Sequence, residues 1–127
     1  MNRKTIDSGA PWESVVGYSR AVRHGNLIEV SGTTSVVDGT VVSAGDMAGQ
    51  TRVILEKIEA ALHQLGATRH HVIRTRMFVT DIARWEEAGR VHGEFFAGIR
   101  PATTMVEVKS LIHPDMLIEI EATAWVD

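Results

Sequence analysis

Glu119 and Glu121 stand two residues apart in Ile118-Glu119-Ile120-Glu121-Ala122, a spacing that puts both carboxylates on one face of a strand. Arg74 and Arg76 alternate in the same way within His71 to Thr80. Such a pattern lets carboxylates and guanidinium groups form cross-strand ion pairs worth about 0.2–1 kcal/mol each. Tyr18, the only tyrosine, can hydrogen-bond a ligand, but a phenol with pKa ~10 is a poor base. His92 falls on the apolar side of a helical segment, where it is either a hydrogen-bonded core residue or an acid/base. His70-His71 invites a metal reading, yet strand neighbours point to opposite faces and no carboxylate completes a set. The absence of cysteine excludes thiol nucleophiles, disulfides and thiolate zinc sites. Ser31-Gly32 lacks the context of a nucleophile elbow, and Gly17, Gly32 and Gly39 are too scattered for a phosphate loop.

The elements that must position these groups are short and punctuated by glycine. Ser19 to Arg23, a turn at His24-Gly25-Asn26, and Leu27 to Gly32 read as a hairpin, and Val36 to Val42 reads as a smaller one around Asp38-Gly39. From Asp46 the period changes: Ile54, Ile58, Ala61, Leu62 and Leu65 recur at helical spacing, with Asp46 as N-cap and Gly66 past the end. His71 to Thr80 reads as a strand. Asp81 then caps a second helix through Phe96, with Trp85, Ala88, His92, Phe95 and Phe96 as its stripe. Gly89 and Gly93 inside that helix each cost about 1 kcal/mol relative to alanine, which implies close packing or a weak helix. Thr103 to Lys109 and Leu117 to Val126 complete a ββ-(β)-α-β-α-β-β order. The fold class is α+β, a mixed sheet with two helices on one face. Ile118, Ile120, Ala122 and Ala124 suit the covered face, whereas Phe78, Met105, Leu117 and Trp125 fall on the uncovered one. That is too much apolar area to leave wet, so an oligomer is expected.

The 127 residues, 44% hydrophobic with a formal net charge of −3, read as one domain spanning 1–127. Acidic balance disfavours nucleic-acid partners. No apolar run approaches the ~20 residues of a membrane span, and the first residues are too polar for a signal peptide, so a cytoplasmic protein without membrane association is expected.

With these elements in order, the chain resembles the RidA/YjgF family of reactive-intermediate deaminases, also known as L-PSP endoribonuclease-like proteins. The matching pieces are Gly17-Tyr18-Ser19-Arg20-Ala21-Val22, Val30-Ser31-Gly32-Thr33, Gln50-Thr51-Arg52, Val79-Thr80-Asp81, Phe95-Phe96, Arg100-Pro101-Ala102, Val106-Glu107-Val108 and Ile118 to Ala122. The resemblance implies a chorismate-mutase-like subunit in a barrel-like homotrimer, with ligand clefts between subunits. It also implies hydrolysis of enamines or imines to a carbonyl compound and ammonia, without metal or cofactor. By position, Glu119 becomes the catalytic, water-orienting residue, and Tyr18, Gly32, Gly89, His92, Thr103 and Met105 become substrate-binding positions. Family members of the best-known type bind the substrate carboxylate through an arginine that follows Pro-Ala, where this chain has Thr103 after Pro101-Ala102. A threonine cannot offer the charged fork that pairs with a carboxylate. Gly89 stands where an asparagine is frequent and Met105 where a small residue is, so the cleft is expected to be less polar. Pro11-Trp12-Glu13, His92-Gly93-Glu94 and Leu111-Ile112 resemble an arginine-lacking branch of the family. Arg76 or Arg100 are candidates to supply the missing guanidinium.

Three functions stay open on these residues. One is an imine or enamine hydrolase with altered substrate preference, and another is a non-catalytic trimeric protein that binds a small molecule. The third is a ribonuclease, against which stand the acidic charge, the scarcity of aromatics and the lack of a histidine pair for general acid–base catalysis.

Overall fold

The structure, a computed structural model, describes residues 3–127. In chain order the elements are β1 (Arg3–Ile6), α1 (Pro11–Val16), β2 (Ala21–His24), β3 (Leu27–Thr33), β4 (Val36–Val37), β5 (Thr40–Val41), α2 (Met47–Gln64), β6 (Val72–Val79), α3 (Trp85–Phe95), β7 (Ala102–Glu107) and β8 (Ile118–Trp125). The large sheet runs β1-β2-β3-β8-β6-β7. Among the described residues only β6 and β7 pair in parallel, and parallel neighbours need a crossover, which α3 supplies.

Helix α2 follows from its sequence directly. Asp46 accepts from Gly49 N at 2.9 Å, satisfying one of the orphan donors of the first turn. Ile54, Leu55, Ile58 and Leu62 are buried against the sheet, and Gly66 follows the helix at φ +82°. The apolar face of β8 closes the core: Ile118, Ile120, Ala122 and Ala124 are all at most 2% exposed. Asp38 and Gly39 both take positive φ, 51° and 78°, as a two-residue hairpin turn requires.

Several expectations are corrected. β1 and α1 lie ahead of the first expected strand. β1 is a largely exposed edge strand that pairs with β2, and α1 is a six-residue helix begun by Pro11; both are too short to show a period. In β6 the pairing with β8 shifts register between Val72 and Arg74, so Val72 turns into the core and Ile73 outward at 52% exposed. Strict alternation gives the reverse, and a bulge breaks it. Asp81 caps a 3-10 turn, Ile82–Arg84, and α3 begins only at Trp85. Trp85 is 53% exposed and leaves the stripe, which Val91 joins beside Ala88, His92 and Phe96.

Met105 is also misplaced by the sequence reading. The parallel register sets it beside Met77, on the helix-covered face, where it packs against the core. Phe78 and Trp125 do lie on the other face, with Trp125 47% exposed. There Arg76 reaches Glu121 at 3.5 Å, while Arg74 binds Thr104 instead of a carboxylate.

Close packing does not explain Gly93 of α3. Gly93 is exposed, and a Cβ built there meets nothing within 4 Å. Gly93→Ala is therefore expected to stabilise the protein by about 0.5–1 kcal/mol, read as a Tm increase of a few degrees in a thermal melt. An unchanged or lower Tm would mean that the open space is occupied in the folded protein.

Candidate functional site

Gly32 lies at the bulged end of β3, where the register with β8 shifts between Val30 and Thr33. A Cβ built at Gly32 would overlap the Glu119 carboxylate, lying 2.9 Å from its Cδ and 3.2 Å from its Cγ. Glycine therefore leaves the space that Glu119 fills. Glu119 points away from the core by the alternation of β8, and its entry into that strand is held from α2. Buried Gln50 accepts from Leu117 N at 2.9 Å and donates to Asp115 O at 2.8 Å, clamping the segment just before β8.

Around this contact opens a cavity of about 560 Å³, bounded by the loop into α1, the end of β3, the β4–β5 hairpin and Ile112. Its polar lining includes Tyr18, Arg20, Asp38, Lys57 and Glu119; its apolar lining includes Pro11, Trp12, Val16, Val36 and Ile112. Burial pushes the Glu119 carboxyl above its ordinary value; the positive charge of Arg20 pulls the other way and Glu121 adds to the rise. Arg20 donates through Nη2 to Gly32 O at 2.6 Å, and its guanidinium carbon lies 5.8 Å from the centre of the Tyr18 ring. Lys57 donates to Thr34 O at 2.7 Å and Val36 O at 2.8 Å. Burial and the neighbouring Arg20 charge hold its pKa below the usual lysine value.

Behind the cavity wall, Glu13 accepts from Ser8 N at 2.9 Å and from the Ser8 hydroxyl, while its backbone carbonyl caps α1 through Gly17 N and Tyr18 N. Burial raises the Glu13 carboxyl, but the Ser8 hydrogen bonds and the Arg20 charge outweigh it, and the net shift is downward. Glu13 thus fixes the turn that presents Tyr18.

Of the sequence-predicted site residues, the structure brings Tyr18, Gly32 and Glu119 to this cavity and sets the others apart. Thr103 pairs with Thr75 in β7–β6 register, whereas Glu119 pairs with Phe78 in β8–β6 register. Thr75 and Phe78 differ by an odd number of residues and face opposite sides of the sheet. On the helix side, Thr75 Oγ1 lies 2.8 Å from both His92 Nε2 and Thr103 Oγ1. His92 is 9% exposed, with its ring 4.7 Å from that of Phe96, and burial lowers its pKa. This is the hydrogen-bonded core histidine. Gly89 lies one turn earlier on α3, against the Trp85 ring, and Met105 two residues beyond Thr103. Within this chain, then, Gly89, His92, Thr103 and Met105 stand on the helix side, away from Glu119.

Neither sequence candidate for the missing guanidinium enters the cavity. Arg76 is paired with Glu121, and Arg100 is an exposed loop residue at φ +52°. His71 accepts from Thr68 N at 3.0 Å, closing a 3-10 turn, and the Ser31 hydroxyl donates to Ser19 O. Among the described residues no group of three or more His, Asp or Glu side chains is placed to hold a metal. Arg20 and Lys57 are the functional side chains that the sequence reading did not single out. Arg20 does stand in the Gly17 to Val22 piece, next but one to Tyr18, and that proximity was the available signal.

A six-stranded mixed sheet with two longer helices packed on one side, and a carboxylate held against a glycine at a bulge, define an α+β architecture with a cavity at the bulged end of β3. Residues 9–126 match the family described as Endoribonuclease L-PSP. The chain is 54% identical to Rv2704 of Mycobacterium tuberculosis, described as a member of the YjgF/YER057c/UK114 family, with a TM-score of 0.89 over 98% of this chain and 99% of that one. It superposes on the yjgF gene product of E. coli with a TM-score of 0.80 at 29% identity, covering 95% and 92% of the two chains. It is 36% identical over 110 residues to the 3-aminoacrylate deaminase RutC of Acinetobacter baylyi, 86% of each protein. The chain belongs to the YjgF/RidA, or L-PSP, family. No helix among the described residues is long and apolar enough to cross a membrane.

Proposed function

We propose that the protein hydrolyses an imine or enamine to the corresponding carbonyl compound and ammonia, with Glu119 handling the water. The observation that carries this reading is the Glu119 carboxylate itself, half-buried in a cavity against Gly32, with burial raising its pKa toward the range useful to a base. An enamine first tautomerises to the imine, gaining a proton on carbon and giving one up from nitrogen. Glu119 removes a proton from water as the water oxygen bonds to the imine carbon, and the C=N electron pair moves onto nitrogen, which is protonated. Collapse of the resulting carbinolamine forms the carbonyl, breaks the C–N bond and releases ammonia. The deaminase name carried by the Acinetobacter relative points to the same reaction class.

The cleft of this reading is completed by a second copy in a homotrimer. The cluster of Gly89, His92, Thr103 and Met105, remote from Glu119 in its own subunit, becomes the far wall of a neighbour's cavity. That wall carries no guanidinium at Thr103, whose hydroxyl is engaged with Thr75 and with Pro101 O at 3.2 Å, so the substrate preference differs from that of relatives with an arginine there. The same engagement favours a second reading, a trimeric binding protein without turnover. A ribonuclease role has less support: no histidine lines the cavity among the described residues.

The test is ammonia release from imines generated in situ by an amino-acid oxidase, across several side chains and an amine-derived imine without a carboxylate. Acceleration by the wild type that Glu119→Gln lacks supports the hydrolase. No acceleration across the panel removes it and leaves the binding role.

A further inference from the structure

We propose that Arg20 is the anion anchor of the cavity, taking the carboxylate of a small organic acid whose carbon chain lies against Trp12, Val16 and Ile112. As a statement about substrate it rests on the hydrolase reading; as a statement about binding it does not.

Arg20 is poorly satisfied where it lies. Its Nη2 is bonded to Gly32 O, but its Nε is buried without a hydrogen-bond partner among the described residues. A buried donor left unmade is costly, more so on a charged group. A guanidinium has its donors in a planar fork, and a carboxylate is the partner that matches two of them at once. None is supplied internally: among the described residues Arg20 forms no ion pair, and the oxygens of nearby Glu13 are held by Ser8. Lys57 adds a second positive charge to the same cavity, while of its two acidic lining residues Asp38 is an exposed tip residue of the β4–β5 hairpin. The other, Glu119, is the group whose ionisation burial disfavours.

Gly32 relates the anchor to the chemistry. Its carbonyl receives Arg20 and its missing side chain admits Glu119, so the two groups flank one residue. An acid with its carboxylate on Arg20 therefore presents its adjoining carbon toward Glu119. In a 2-imino acid that carbon is the one water must attack. Trp12, Val16 and Ile112 add apolar surface to the same cavity, against which a hydrocarbon side chain packs. The anchor thus comes from β2's approach to the cavity, not from the position of Thr103.

The test is calorimetric titration of wild type, Arg20→Gln and Arg20→Lys with 4-methyl-2-oxopentanoate and with 4-methylpentan-2-one, which lacks the carboxylate. The acid is expected to bind wild type at least about tenfold more tightly than the ketone, with Arg20→Gln erasing the difference and Arg20→Lys restoring it in part. Equal affinity for acid and ketone in wild type, no binding of the acid at millimolar concentration, or unchanged selectivity in Arg20→Gln overturns the proposal. The wild-type comparison decides the matter even if the variants fail to fold. Acid binding without ammonia release removes the hydrolase and keeps the anchor. Ammonia release whose KM for carboxylate imines is untouched by Arg20→Gln removes the anchor and keeps the hydrolase.

Discussion

Gly32→Ala is expected to leave the fold intact and to abolish imine hydrolysis, with a loss of about 10²–10⁴, the usual contribution of a positioned general base. A Cβ at this position collides with the far end of the Glu119 side chain, not with backbone. The backbone at Gly32 has no positive φ, so alanine adopts it without strain. The flexible carboxylate gives way first, swinging out of the space it occupies. The Arg20 bond to Gly32 uses the main-chain carbonyl and survives the change. Anion binding should therefore outlast catalysis in this variant, separating the two halves of the site. Measured together, kcat for an imine and the affinity for 4-methyl-2-oxopentanoate give the decisive pattern. A variant with wild-type kcat would show that Glu119 does not act from the position seen here.

The parts of this architecture that were legible in the sequence are those fixed by near neighbours. The period of Ile54, Ile58 and Leu62, the Asp46 cap and the Asp38-Gly39 turn are each settled within a few residues. The alternation of Ile118, Glu119, Ile120 and Glu121 identified the core face, whereas Glu119 was singled out as a catalytic candidate only by the family resemblance. What was not legible depends on pairing between distant segments. The β6 bulge that exchanges Val72 and Ile73 exists only relative to β8. The face of Met105 depends on the parallel register of β7 with β6, which the α3 crossover sets. Arg20 on β2's approach and Lys57 on α2 converge only once α2 packs over the sheet. Resemblance directed attention to the position after Pro101-Ala102. It gave no means of seeing that a guanidinium enters the cavity from another part of the chain.

Glu119→Gln is expected to lower hydrolysis by about 10²–10⁴ and to raise Tm at neutral pH. The sign follows from the direction of the Glu119 shift. Burial places its folded pKa above the unfolded value, so the folded state favours the protonated form. Relative to the unfolded chain, Glu119 is favourable below the unfolded value, and that advantage disappears as pH rises through the folded one. At neutral pH, above the ordinary carboxylate range, keeping this carboxyl half-buried is a net cost, relieved only in part by Arg20. Glutamine keeps the shape and carries no charge at any pH. The stability gain of the variant should therefore shrink as pH falls below the ordinary carboxylate range, which thermal melts across pH will detect. The same shift governs activity. A base must be ionised, so the acid limb of kcat/KM should lie above the ordinary glutamate value, and Arg20→Gln, by removing the charge that holds Glu119 down, should move it higher still. A limb at the ordinary value, unmoved by Arg20→Gln, would separate Glu119 from the rate-limiting proton transfer. Gain of stability with loss of activity, both traced to one ionisation, is the signature of a carboxylate retained for chemistry rather than for the fold.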